Sequence, residues 1–346
     1  MGLQRKGRLV SLLSILFIII PSCTPSTLPV AAPTPSLTAI PPTLTPAPPT
    51  ATSRPTVTPS ATIAPASGSY EEWLAAFEYN ARLPLGMEEL GVEQRDGVTI
   101  HDITFASPLE GKIPAYLVMP QGEGPFPAVL YAHWYDSDHS NRKEFLDESV
   151  SLAQEGVVCL LVDELFAAPF PRHKWTGRNA EQDRQIVIQQ VIELRRALDV
   201  LVARPEVDSA RIGFVGHDFG ALFGAVLSGV DHRLRAYVLM TAAPEFDWFT
   251  ISSALKPSEL RQYRSVLMTV APIEYVPHAA PAALFFQFAR NDGFVPEVSA
   301  LALFNAASEP KRIEWYKGSE GHVLQRNEQA LQDRLEWMRQ ELRVGK

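Results

Sequence analysis

Asp218 stands between two glycines in the stretch Arg211–Gly229, RIGFVGHDFGALFGAVLSG. Ile212 to Val215 read as a buried strand, Gly216 to Gly220 as a hard turn, and Ala221 to Leu227 as a helix of small residues. A side chain at either glycine would collide with the strand or helix beside it, so the turn lifts its central residue above the sheet edge. That residue is a carboxylate. Its attack on an ester carbonyl would form an anhydride, a high-energy intermediate with little advantage over direct hydrolysis. Attack on a saturated carbon bearing a halide or an epoxide oxygen instead leaves a plain ester, which can later be opened.

The elements that must carry such a turn are legible on both sides of it. An amphipathic helix from Tyr70 to about Asn80 is followed by two strands, Val98 to Ala106 and Ile113 to Met119, read as a hairpin. Strand Ala128 to His133 precedes helix Lys143 to Gln154, and strand Val157 to Val162 precedes a long helix from about Ala180 to Val202. After the Asp218 turn come strand Arg235 to Thr241, strand Ala282 to Phe288, helix Glu297 to Ala306, strand Arg312 to Tyr316 and a last helix, Asn327 to Leu342. Continuous apolar strands alternating with amphipathic helices predict an α/β domain. Its sheet is mostly parallel and eight-stranded, covered on both faces, with the hairpin at one edge and the chemistry at the carboxyl ends of the strands.

RALDVLVARPEVDSARIGFVGHDFGA, from Arg196 to Ala221, resembles the nucleophile region of dienelactone hydrolases and related α/β-hydrolases, including acetyl xylan esterase-like enzymes. FFQFARNDGFVP resembles their acid loop, and KGSEGHVL their histidine loop. The resemblance implies the α/β-hydrolase fold and carries Asp218, Asp292 and His322 into the nucleophile, acid and histidine positions, after the fifth, seventh and eighth predicted strands. His322, oriented by Asp292, would deprotonate the water that opens the Asp218 ester. The same analogy places oxyanion-hole donors at the backbone N–H of Phe219 and in the loop His133-Trp134-Tyr135. The family has Ser where this chain has Asp218; GHDFG is closer to epoxide hydrolases and haloalkane dehalogenases. Those carry a helical lid, whereas residues Ala243 to Pro281 are too few for a full one, although they hold Trp248, Tyr263 and Tyr275. Phe219 has no side-chain donor for a halide.

His217 is expected to pack under the turn and His133 to orient the oxyanion loop. Asp163-Glu164 either binds substrate or is a solvated strand end. Asn291-Asp292-Gly293 also suits a plain turn, and His322 a surface loop. No Cys/His or H-E-x-x-H spacing suggests a metal, and no glycine-rich loop suggests a nucleotide, so no cofactor is expected. Cys159, in VVCLLV, reads as a small buried hydrophobe without a disulfide mate.

Arg5, Lys6 and Arg8 before the apolar run Leu12 to Ile20 read as a signal peptide, residues 1–23. Its end, Ile20-Pro21-Ser22-Cys23, resembles the lipobox of bacterial lipoproteins, with an ordinary secretory signal as the alternative. Residues 24–68 read as an extended stalk, since 24–67 hold 12 Pro and 11 Thr with Arg54 the only charge. Residues 69–346 form the folded domain. Setting 27 of the 31 basic residues against all 39 acidic ones gives that domain a net charge of −12 and argues against nucleic acid as a partner. The expectation is a protein lipid-anchored through Cys23 to the outer face of a bacterial membrane, hydrolysing a small molecule through Asp218. A catalytically silent binding domain, or an esterase or lactonase using Asp218 as general base, stands as the alternative.

Overall fold

The computed structural model describes residues 68–135, 139–173, 179–246, 255–317 and 321–345. Cys23, the leader, nearly all of the predicted stalk and Trp248 lie outside them. Among the described residues no helix is long and apolar enough to cross a membrane.

The strands are Glu88–Arg95 (β1), Val98–Ala106 (β2), Lys112–Met119 (β3), Phe126–Ala132 (β4), Val158–Val162 (β5), Val207–His217 (β6), Ala236–Met240 (β7), Ala283–Ala289 (β8) and Lys311–Tyr316 (β9). They make one sheet in the order β1-β2-β3-β5-β4-β6-β7-β8-β9. From β5 to β9 it is parallel, and β1, β2 and β3 run alternately up to β5. The sheet has one strand more than predicted. β1, EELGVEQR, is exposed along almost its whole length and skips Leu90 in a bulge. A polar edge strand lacks the alternating apolar pattern by which strands are read, and its charges discourage pairing with another chain. The predicted hairpin, β2–β3, therefore lies one strand in from the edge.

The helices are Tyr70–Leu74 (α1), Leu146–Gln154 (α2), Ala180–Val202 (α3), Phe219–Val230 (α4), Pro257–Leu267 (α5), Pro272–Tyr275 (α6), Glu297–Ala306 (α7) and Glu328–Glu341 (α8). Side chains of α3, α4, α6 and α7 join one core cluster, and those of α2 and α8 join the other. Apolar α4 is buried from Phe219 to Gly229, as a helix enclosed by sheet and helices must be. The opening helix is shorter than expected, passing into a 3₁₀ turn at Ala75–Phe77. Helix α2 starts three residues later than predicted because Arg142 and Glu144, in the turn before it, are held by distant partners. Arg142 pairs with Asp102 and Asp163, and Glu144 with His217. Tyr263 and Tyr275, candidates for a pocket wall, are buried with hydroxyls donating to Asp183 and to the Thr269 carbonyl.

Chain order β4, β5, β6 with spatial order β5-β4-β6 makes the β4–β5 crossover run one way along the sheet and the β5–β6 crossover run back over β4 the other way. A crevice is thereby left at the carboxyl ends of β4 and β6. Gly220 closes its floor: its N–H donates to the His133 carbonyl at 3.1 Å, and a Cβ there would overlap the Ala132 carbonyl. Gly220→Ala is accordingly expected to lower stability by about 1–3 kcal/mol, the usual cost of overpacking. Urea titration of the variant reads it; an unchanged midpoint would contradict the close approach.

Candidate active site

Strand β6 ends at His217 and α4 begins at Phe219, so the whole turn between them is Asp218, at φ 55° and ψ −114°. A non-glycine residue there carries on the order of 1–3 kcal/mol of strain, tolerable only where neighbours over-determine it. They do. The Asp218 N–H donates to the Met240 carbonyl (3.0 Å), and its own carbonyl accepts from Leu222 N–H (2.9 Å). Gly216 is needed beneath, because a Cβ on it would lie 2.5 Å from the Gly220 carbonyl oxygen.

The three expected side chains meet above this turn. His322 Nδ1–H donates to Asp292 Oδ2 at 2.8 Å, and its Nε2 faces Asp218 Oδ1 at 3.4 Å. Asp292 is no bare turn residue: its other oxygen accepts from the N–H groups of Phe294 (2.7 Å) and Val295 (3.0 Å). His322 is no surface histidine either, being 8% exposed with the Phe294 ring 5.0 Å from its own. Burial alone would lower the His322 pKa. Hydrogen bonds and charges from Asp218 and Asp292 outweigh burial and push it up to about 9. Asp292 is also buried, which would raise it, but His322 and the two backbone donors hold it below the usual carboxylate range.

The second oxygen of Asp218, Oδ2, accepts from the Tyr135 N–H at 3.0 Å. Of the donors that the resemblance implied, the Tyr135 N–H faces the Asp218 carboxylate, and Phe219 opens α4 immediately after Asp218. Trp134 is a correction. Its N–H donates to Glu144 Oε2 at 2.6 Å, away from the aspartate, while its indole stacks on the His217 ring at 5.8 Å and 16°. The Trp in place of the family's Gly thus brings a side chain that packs against His217.

Below the site lies a scaffold of buried acids and histidines. Glu144 Oε1 holds His217 Nδ1 at 2.7 Å, and His217 Nε2–H donates to the His322 carbonyl at 3.1 Å. His217 is under the turn, as expected, and also props the histidine loop. His133 Nδ1–H donates to the Trp134 carbonyl (2.7 Å), leaving Nε2 to accept from Glu164 N–H (3.0 Å). That tautomer is neutral, in keeping with the lowering of the His133 pKa by burial. Asp163-Glu164 is not a solvated strand end: Asp163 binds Arg142, and Glu164 is 2% exposed. Glu144 escaped the sequence reading altogether, since it sat in what looked like the first turn of a helix. Among the described residues no three His, Cys, Asp or Glu side chains gather as a metal site.

This constellation on this sheet decides the fold. The chain has the α/β-hydrolase fold. Among solved structures it is similar to acetyl xylan esterase 1 from Thermoanaerobacterium sp. JW/SL YS485, with TM-score 0.65 and 14% identity, covering 82% of this chain and 95% of that one. It is similar also to the acetyl xylan esterase from Paenibacillus sp. R4, with TM-score 0.63 and 17% identity, covering 79% and 93%. A family model described as Esterase FrsA-like matches residues 88–258. Esterase FrsA of Salmonella paratyphi B is 23% identical over 273 residues, 72% of this chain and 61% of that protein. The chain spans 57% to 61% of the length of the curated relatives it matches.

Within the hydrolase fold the His322 charge contributes to stability. Its folded pKa, about 9, lies above the ordinary 6.5. The contribution is therefore complete below pH 6.5 and is lost as pH rises through 9. Urea denaturation at pH 6, 8 and 10 should show the wild type losing stability across that window and His322→Gln losing less. Parallel curves for the two proteins would refute the pairing.

Proposed function

We propose that this protein is a cofactor-free hydrolase of the α/β-hydrolase superfamily that cleaves a carbon–halogen or epoxide bond in a small organic molecule through an ester on Asp218. The observation that carries the reading is the division of labour between the two Asp218 oxygens. Oδ1 faces His322, and Oδ2 already rests on the Tyr135 N–H. Oδ1 would attack the saturated carbon, expelling halide or alkoxide, and Oδ2 would become the ester carbonyl oxygen. Water attack on the Asp218 carboxyl carbon then develops negative charge on Oδ2, where the Tyr135 N–H donates.

Forming the ester also arms the base. Asp218 and Asp292 together hold the His322 proton; once Asp218 is esterified its charge is gone, so the imidazole pKa falls and the proton is released. Neutral His322 can then take a proton from the attacking water and return it to the departing alcohol oxygen. Direct attack on an ester fits less well, since the substrate carbonyl would have to displace Oδ2 from Tyr135. The esterase and lactonase reading, with Asp218 as general base, is supported by the names of the relatives and remains the second choice.

His322→Gln in the full-length protein should trap the ester. Incubation with 1-bromobutane or 1,2-epoxybutane is expected to add one alkyl group on the peptide containing Asp218, seen by intact and peptide mass, and Asp218→Asn should abolish it. Turnover should fall by about 10²–10⁴-fold in His322→Gln. Failure of both reagents alongside Asp218-dependent cleavage of a chromogenic ester would move the assignment to the general-base reading. Inertness to all three would leave the binding domain.

We also place this domain on the outer face of a bacterial membrane, held by lipid on Cys23. Radiolabelled palmitate incorporation that survives Cys23→Ala would remove that placement.

A further inference from the structure

We propose that Glu164 is the acid that protonates a leaving oxygen at this site, making epoxides rather than haloalkanes its substrate class. The inference rests on the Asp218 ester reading and names its substrate.

Val162, Ala132 and Gly216 are register partners across β5, β4 and β6. Two residues further along each chain stand Glu164, Trp134 and Asp218. At the usual strand spacing this puts the Glu164 and Asp218 backbones on the order of 10 Å apart, room for two carboxyl side chains with a small substrate between them. The Glu164 backbone is fixed by its N–H on His133 Nε2, and the next residue by Leu165 N–H on Gln190 Oε1 (2.8 Å). The carboxyl itself is not satisfied: Oε1 is buried and makes no hydrogen bond.

The groups whose charges act on it are mostly acids. Asp218 is the strongest, followed by Glu144 and Asp163, with Arg172 opposing them. Arg172 is already engaged by Glu193, at 2.8 and 2.6 Å. His133, beside it, is neutral. Burial first, then these carboxylates, push the Glu164 pKa well above the usual range, which favours the form that has an O–H to give. A buried donor costs stability unless something accepts from it, and an oxygen expelled from the carbon that Asp218 attacks is such an acceptor.

The step balances. Asp218 Oδ1 bonds to an epoxide carbon, the carbon–oxygen bond breaks with its electron pair on oxygen, and the Glu164 proton moves to that oxygen. The result is a hydroxyalkyl ester and a Glu164 carboxylate. Hydrolysis of the ester consumes one water, and the proton first lost from His322 is matched by the one Glu164 regains from solvent, so epoxide and water give a diol. A halide leaves as an anion and needs no proton, so Glu164 does nothing for it.

That difference is the test. In the His322→Gln trap, adding Glu164→Gln is expected to slow the 1,2-epoxybutane adduct about 10²-fold while the 1-bromobutane adduct stays within about threefold. Equal slowing of both would make Glu164 a structural residue, and slowing of neither would remove its role; either overturns the proposal. An adduct from neither reagent in the parent trap is the distinct failure of the Asp218 reading, and Glu164's role falls with it. Should Glu164→Gln not fold, the parent trap still decides: raising pH must slow epoxide addition more than bromide addition, and parallel profiles would count against Glu164.

Discussion

A carboxylate fixed at φ 55° between a strand and a helix is the constraint from which the rest of this site follows. At that angle the side chain stands over the sheet edge, within reach of one loop on each side. Tyr135 N–H takes one oxygen from the β4 side, and His322 faces the other from the β9 side. The strain is held by main-chain bonds to Met240 and Leu222 and by glycines that let β4, β6 and α4 come together. None of these supports uses the side chain at position 218. The geometry of the turn and the chemistry performed on it are thus separately specified.

Around that point the domain concentrates negative charge. Glu144, Asp163, Glu164, Asp218 and Asp292 lie at or beside the carboxyl ends of the central strands, and each must be accounted for in a poorly solvated place. Asp163 is neutralised by Arg142, Asp292 shares the His322 proton with Asp218, and Glu144 is paired with His217. Glu164 is left, and burial beside these acids pushes its pKa well above the usual carboxylate range. The fold therefore sets a glutamate and a histidine whose pKa values are raised beside an aspartate whose pKa is lowered, with neighbouring charges among the causes of each shift.

Much of this was legible in the sequence because it is written in local pattern. GHDFG between an apolar run and a small-residue helix marks the turn, and Asn291-Asp292-Gly293 and Gly321-His322 mark the two loops. The apolar runs give eight of the strands, and α3 and α7 begin and end where their periodicity does. What escaped is decided by tertiary contact. β1 is polar and exposed, so only its pairing with β2 makes it a strand. Glu144 looks like a helical surface residue until His217, 73 positions away, is folded onto it. Trp134 was placed on the correct loop, yet which N–H turns toward Asp218 depends on where Glu144 lies. Glu164 could be read equally as ligand or as solvent-facing, because burial is a property of the finished fold.

The strut from Glu144 through His217 to the His322 carbonyl has a mechanical meaning. It ties the histidine loop to the residue that also grips Trp134 N–H, so the two walls of the crevice share a brace. Neither wall can swing outward alone without breaking a buried hydrogen bond. The two walls are thereby coupled, so that a displacement of either is carried through Glu144 to the other.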